Sequence, residues 1–264
     1  MNKKKIILFP LILSFSVLIF AQEKKEYTLP EIISISLKNN PLLIAKFKES
    51  EAKKVAYQAS RQFSNPELEL QKGKAKSHDG LTKRNTEGLS ISQYLENPFK
   101  RHYRIQIYKN DWQSTEQLYN FFKLEMIFEI KNLFYTILLL EENEQLALKN
   151  LDSITEIHKL IEKRAKLGEV KELEAIKLYV EKLKGYNELQ IIQTELKLAH
   201  ENLNKLLAYS LPPESSVKGK LDYFPLALEE ESLITKTLLS YPLIMGKEKE
   251  LELAENNVSY VKWH

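Results

Sequence analysis

The chain has 264 residues, with 39 basic and 36 acidic side chains for a formal net charge of +3, and it has no cysteine. Residues 1–21 hold three lysines and no acid, so the remainder balances at 36 against 36, and a neutral chain without a basic stripe argues against nucleic acid as a partner. The missing cysteine excludes a disulfide framework, a cysteine zinc site, a thiol nucleophile and an acylated cysteine, while seven glycines and nine prolines are few, as in helix-dominated chains.

The first residues combine a basic cluster, Lys3-Lys4-Lys5, an apolar run from Ile6 to Phe20 and a small residue, Ala21, before polar Gln22. That order reads as a secretory signal peptide cleaved between Ala21 and Gln22. An uncleaved anchor is the alternative; the run is short for a bilayer and lacks a basic flank on its far side.

Thr28-Leu29-Pro30-Glu31 has the residues of a helix start, and the apolar helix that follows stops at Asn39-Asn40-Pro41, because a residue before proline is pushed out of the α region. A second helix starts at Pro41 and runs to about Phe63, where Ser64-Asn65-Pro66 breaks it. The period then changes to strict alternation in Glu67 to Gln71, and again in Leu89, Ile91, Gln93 and Leu95, with a polar loop expected over Gly73 to Thr86. These segments predict a β-hairpin with one apolar face. By itself the alternation suits a soluble half-buried hairpin better than a lipid-facing barrel strand pair, whose signal per segment is weak.

Glu96-Asn97-Pro98-Phe99-Lys100-Arg101 is a turn into the longest element. From Ile105 through Tyr108, Trp112, Phe122, Met126, Ile130, Leu133, Ile137 and Leu140, then past Glu144 to Ala147, Leu151, Ile154, Ile161 and Ala165, apolar residues recur in steps of three and four. This heptad seam predicts a coiled-coil helix over Arg104 to Ala165, roughly 90 Å long at ~1.5 Å per residue. The chain folds back at Lys166-Leu167-Gly168-Glu169-Val170 into a return helix whose seam is expected at Leu173, Ile176, Val180 and Leu183. After a slip near Gly185 the seam resumes at Ile192, Leu196, Ala199, Leu203 and Leu206, and the helix stops at Leu211-Pro212-Pro213. Residues Glu214 to Phe224 read as an irregular surface segment.

The last part is an internal repeat. At a fixed offset of 201, Ile234 falls on Ile33, Leu238 on Leu37, Pro242-Leu243 on Pro41-Leu42, and Lys247, Lys249, Glu250 and Glu252 on Lys46, Lys48, Glu49 and Glu51.

The five histidines, His78, His102, His158, His200 and His264, are scattered without metal spacing, and no nucleophile–base pair or phosphate loop appears, so neither a metal site, a cofactor nor an enzyme is expected. His158 and Glu144 lie on or beside the seam, where a polar residue sets register. The aromatics Trp112, Tyr119, Phe121, Phe122, Phe128, Phe134 and Tyr135 read as helix packing rather than a ligand platform, and the Lys/Glu runs, such as Lys46 to Lys54, as solvated faces.

The order of these signals, with Leu29-Pro30-Glu31-Ile32 through Asn40-Pro41, Ile91-Ser92-Gln93 with Phe99-Lys100-Arg101, and Lys166-Leu167-Gly168-Glu169-Val170, resembles the outer-membrane efflux protein family, the TolC family, from about Thr28 onward. The resemblance implies a mainly α fold with a small β part. A long antiparallel coiled-coil hairpin and a β-hairpin would contribute to a trimeric membrane β-barrel and a periplasmic helical tunnel. It further implies a homotrimer in outer-membrane lipid that conducts solutes passively. The partners implied are a periplasmic adaptor docking at the tip, Leu167, Gly168, Glu169 and Val170, and an inner-membrane transporter of the resistance-nodulation-division (RND) type. Phe99-Lys100-Arg101 and the tip lean toward the heavy-metal branch rather than the drug branch. Arg164 and Lys166 either steer that docking or simply complement the helix dipole.

The expected division is a signal peptide over 1–21, helices over 22–65, the hairpin over 66–97, the long helical hairpin over 98–209, a linker over 210–229 and the opening of a second repeat over 230–264. Because that second repeat stops inside a helix, the sequence is expected to be a fragment or a truncated product. The competing functional readings are a soluble periplasmic coiled-coil scaffold or adaptor, and an inactive truncated product.

Overall fold

A computed structural model describes residues 25–76, 78, 83–212, 215–223, 225 and 229–263; the expected signal peptide and the Ala21–Gln22 cleavage point lie outside them. The described elements are β1 (Glu26–Thr28), α1 (Leu29–Asn39), α2 (Pro41–Ser60), β2 (Glu67–Lys76), β3 (Lys83–Ser92), α3 (Pro98–Lys166), α4 (Glu172–Leu206), β4 (Ser216–Lys218), α5 (Glu230–Ser240) and α6 (Pro242–Lys262).

Helix α3 is the spine. Its 69 residues extend for roughly 100 Å at 1.5 Å per residue. It starts earlier than the heptad seam, at Pro98, because the Asn97 side chain accepts from the Phe99 N–H at 2.9 Å and proline fits the first turn. Helices α2 and α6 lie antiparallel along its N-terminal half: Lys53 reaches Asp111 at 2.7 Å and Tyr57 stacks on Trp112, while Tyr241 meets Phe121 at one end of α6 and Trp263 stacks on Phe99 just past the other. Helix α4 returns antiparallel along the C-terminal half, where Gln193 donates to Glu144 at 2.8 Å and the His158 and Tyr179 rings meet.

The core sits where these layers meet. Ile130, Phe134 and Ile137 of α3 are buried against Ile32 of α1, Leu43 of α2, and Leu203 and Leu207 at the end of α4. The aromatic stripe divides accordingly: Phe134 is inside, Tyr119 and Phe122 border the core, and Phe128 and Tyr135 are exposed. The buried Ser36 hydroxyl donates to the Leu206 carbonyl at 3.1 Å, tying α1 to the last turn of α4.

Two expectations change. The segment read as irregular over Glu214 to Phe224 contains β4, which pairs in parallel with β1 in the register Glu26↔Ser216, Tyr27↔Val217 and Thr28↔Lys218. Val217 and Tyr27 join the core, and Gly219 follows because a Cβ there would stand 2.9 Å from both Leu138 and Phe134.

The first half of the return helix also has a different inner face, while Ala199 and Leu203 lie inside as expected. Ala175, Leu189, Ala199 and Leu203 are buried, whereas Leu173, Ile176, Val180 and Leu183 are exposed. The half-buried Leu178, Lys182 and Gly185 fill the interval, so the seam runs from Ala175 to Leu203 in unbroken steps of three and four, without a slip. Gly185 lies in the seam opposite Leu151 and Ile154, whose methyl carbons lie 3.6 and 3.9 Å from where its Cβ would be, ordinary contact distances.

The sequence offset of 201 carries over to the elements. Helix α5 has 11 residues, as α1 has, and Asn40 and Tyr241, at the two breaks before proline, share ψ 119°. Their surroundings differ: α1 buries Ile32 and Ser36, and α5 buries nothing among the described residues.

Candidate functional site

Two ends of the spine carry the features that composition alone does not explain. At the N-terminal end of α3 the β-hairpin pairs Glu67↔Ser92 through Lys76↔Lys83, ten residues a side, so the strands run well into the stretch expected to be loop, and β3 ends at Ser92 rather than near Leu95. Alternation puts the cross-strand pairs Leu68↔Ile91 and Leu70↔Leu89 on one face and Glu67↔Ser92, Glu69↔Ser90 and Gln71↔Gly88 on the other. Leu68, Leu70, Leu89 and Ile91 are 64%, 74%, 65% and 73% exposed. A soluble half-buried hairpin would cover this face. Here it is bare, and Tyr94 and Leu95, between the end of β3 and the start of α3, are exposed as well. Beyond Leu70 the same face turns polar, with Lys72 and Glu87 paired at 3.5 Å.

The foot of the hairpin is clamped to the helices by charge. Arg104 donates from Nε to both Glu96 oxygens, at 3.0 and 3.1 Å, and from a terminal nitrogen at 2.6 Å; it also donates to the Ser60 carbonyl at 2.8 Å. These hydrogen bonds hold the Glu96 carboxyl below its ordinary range against the opposing effect of burial, with the Arg104 charge adding to the shift. The Arg104 pKa rises in turn, chiefly through the Glu96 hydrogen bond.

At the far end, α3 closes in a Schellman turn. Gly168 has φ +76°, its N–H donates to the Ala165 carbonyl at 3.0 Å, and the Glu169 N–H donates to the Arg164 carbonyl at 3.0 Å. Where such turns often carry a hydrophobic contact, this one has an ion pair between Arg164 Nε and Glu169 at 2.9 Å. The tip therefore brings Leu167, Gly168, Glu169 and Val170 together on one rigid corner, with Leu167 74% exposed and Val170 half-buried. The partnership of Arg164 with Glu169 was not visible in the sequence; an Arg and a Glu flanking Leu-Gly at a helix end are the signal that points to it. Behind the tip a groove of about 560 Å³ opens between His158, Glu162, Ala165 and Lys166 of α3 and Glu172, Ala175, Ile176 and Tyr179 of α4. Lys166 donates to Glu162 at 2.8 Å and is the first cause of that carboxyl's lowered pKa.

Among the described residues no cluster of His, Asp or Glu has metal-binding geometry, and no helix is long and apolar enough to cross a membrane. No protein-family model and no curated protein matches the sequence. Solved structures do share the fold. The outer-membrane channel OprN matches with a TM-score of 0.73 at 18% identity over 89% of this chain and 55% of its own. The CmeC outer-membrane channel of Campylobacter jejuni gives 0.72 at 16% identity, over 89% of this chain and 52% of its own. CusC gives 0.70 at 18% identity, over 89% and 56%. The chain thus spans little more than half the length of the channels it matches, and over that span it has the mainly α fold with a small β part and a long antiparallel helical hairpin that the resemblance implies.

Proposed function

We propose that the chain is a subunit of an outer-membrane efflux channel, a passive conduit through which small solutes, drugs or metal ions, leave the periplasm. The observation that carries this reading is the bare apolar face of Leu68, Leu70, Leu89 and Ile91 at one end of a helix whose other end is a rigid helical tip. A face like this needs lipid or further strands, and its polar reverse suits a wet barrel interior. Open sheet edges are not tolerated in lipid, so copies of the chain must join their hairpins, and a homotrimer is the assembly we assign. The tip residues Leu167, Gly168, Glu169 and Val170 then lie roughly 100 Å from the membrane, where a periplasmic adaptor links the channel to an inner-membrane transporter of the RND type.

Extraction tests the reading. The chain is expected to stay with outer membranes through a carbonate wash and to leave only in detergent. Release by carbonate would contradict it and favour a soluble coiled-coil scaffold.

A further inference from the structure

The foot of the hairpin carries a second feature that the channel reading does not use. Here α2 ends, α3 begins and α6 ends, and three basic side chains sit on aromatic faces. The Arg101 guanidinium lies 4.2 Å from the Phe63 ring centre, Lys100 Nζ lies 5.1 Å from that of Tyr260, and the Arg61 guanidinium lies 5.9 Å from that of Tyr57. Arg101 also donates to the Arg61 carbonyl, which holds two of the three cations together. Phe99 stacks on Trp263 at 4.8 Å with an interplanar angle of 11°, and Phe63, Phe99 and Trp263 are 62%, 59% and 44% exposed. Among the described residues no carboxylate forms an ion pair with Arg61, Lys100 or Arg101; Glu96 feels the charge of Lys100 and Arg101 but gives its hydrogen bonds to Arg104, so one carboxylate stands against four cations.

Exposed aromatics at the foot of membrane strands match the level of lipid headgroups, and cations that outnumber the protein anions there favour anionic lipid. We propose that this collar is a headgroup site for anionic phospholipid, in which Arg61, Lys100 and Arg101 take the phosphate while Phe63, Phe99 and Trp263 sit at the headgroup boundary. The cation–π placement keeps each charge directed without neutralising it. The inference rests on the outer-membrane reading, since the collar meets lipid only if the strands do.

The test uses the full chain purified in detergent and presented to vesicles of phosphatidylcholine, or of phosphatidylcholine mixed with phosphatidylglycerol. Parent protein is expected to associate with both and to prefer the anionic vesicles. Arg61→Gln and Lys100→Gln should each lower that preference by roughly five-fold at low salt, and the double variant should lose most of it while keeping the parent's helicity and its association with neutral vesicles. Arg101 is left intact because it also holds the Arg61 carbonyl. A parent that binds both vesicles equally, or a double variant that keeps the preference, overturns the headgroup site and leaves the channel reading standing. A parent that associates with neither overturns the membrane reading and the site with it.

Discussion

Asn40 joins two helices through one side chain. Its Oδ1 accepts from the Leu42 and Leu43 N–H groups at 3.0 and 3.2 Å, capping α2, and its Nδ2 donates to the Leu206 carbonyl at 2.9 Å, holding the end of α4. Asn40→Ala removes the cap and one of the two donors to the Leu206 carbonyl, which keeps Ser36, so a loss of about 1–2 kcal/mol is expected in urea unfolding. Tyr241, at the same place in the second copy of the pattern, makes no side-chain cap, and Tyr241→Ala should cost less on that account. Gly219→Ala drives a methyl into Phe134 and Leu138 at 2.9 Å and should destabilise by about 1–3 kcal/mol, measurable in the same experiment. For Glu96, the folded pKa is depressed by Arg104. Its contribution is therefore fully present above the ordinary carboxyl pKa of about 4.3 and is lost as pH falls through the lower folded value. The gap in thermal midpoint between the parent and Glu96→Gln should narrow from neutral pH to below about 4; a gap independent of pH would contradict the assignment.

At the scale of the element, α4 tests how the hairpin is held. Leu189 is buried in the seam and Leu183, two turns away, is exposed. Leu189→Ala should cost about 2–4 kcal/mol and Leu183→Ala well under 1 kcal/mol in the dissociated chain; the reverse order would restore the seam through Leu173, Ile176, Val180 and Leu183. The register of α3 was legible from Met126 onward because its buried positions there, Met126, Ile130 and Ile137, are also its apolar ones at heptad spacing; nearer its start the buried positions are Asn110 and Ser114, and the expected seam residue Tyr108 is exposed. That of α4 was legible only beyond Gly185, where Ala199 and Leu203 are buried as expected; the first half was not, because its inner face is built from Ala175, Lys182 and Gly185, small or half-polar residues that carry little hydrophobic signal. Four larger apolar residues with the same spacing lie on the outside, where hydrophobicity alone ranks them first. Strands β1 and β4 escaped notice for a related reason: three residues each are too short to show a period. At the tip, Gly168→Val places a β-branched residue at φ +76° at a cost of about 1–3 kcal/mol, and it should weaken the proposed docking of a periplasmic adaptor along with the corner that presents Leu167.

Across the whole molecule, what the sequence made legible was the order of parts: two helices, a hairpin, a long helix, a tip, a return and the first pattern again at an offset of 201. What the parts face was less legible, since a strand of alternating residues looks alike beside lipid and beside a protein core. Among the described residues, only the lack of cover over Leu68, Leu70, Leu89 and Ile91 separates the two. The central claim is that this face meets lipid while its reverse meets water, and the chain's lack of cysteine gives a clean background for testing it. In intact outer membranes, Leu70→Cys should resist a membrane-impermeant maleimide until the membrane is dissolved, while Gln71→Cys, on the opposite face of the same strand, should react through the open lumen. Equal labelling of the two positions before detergent would contradict the account.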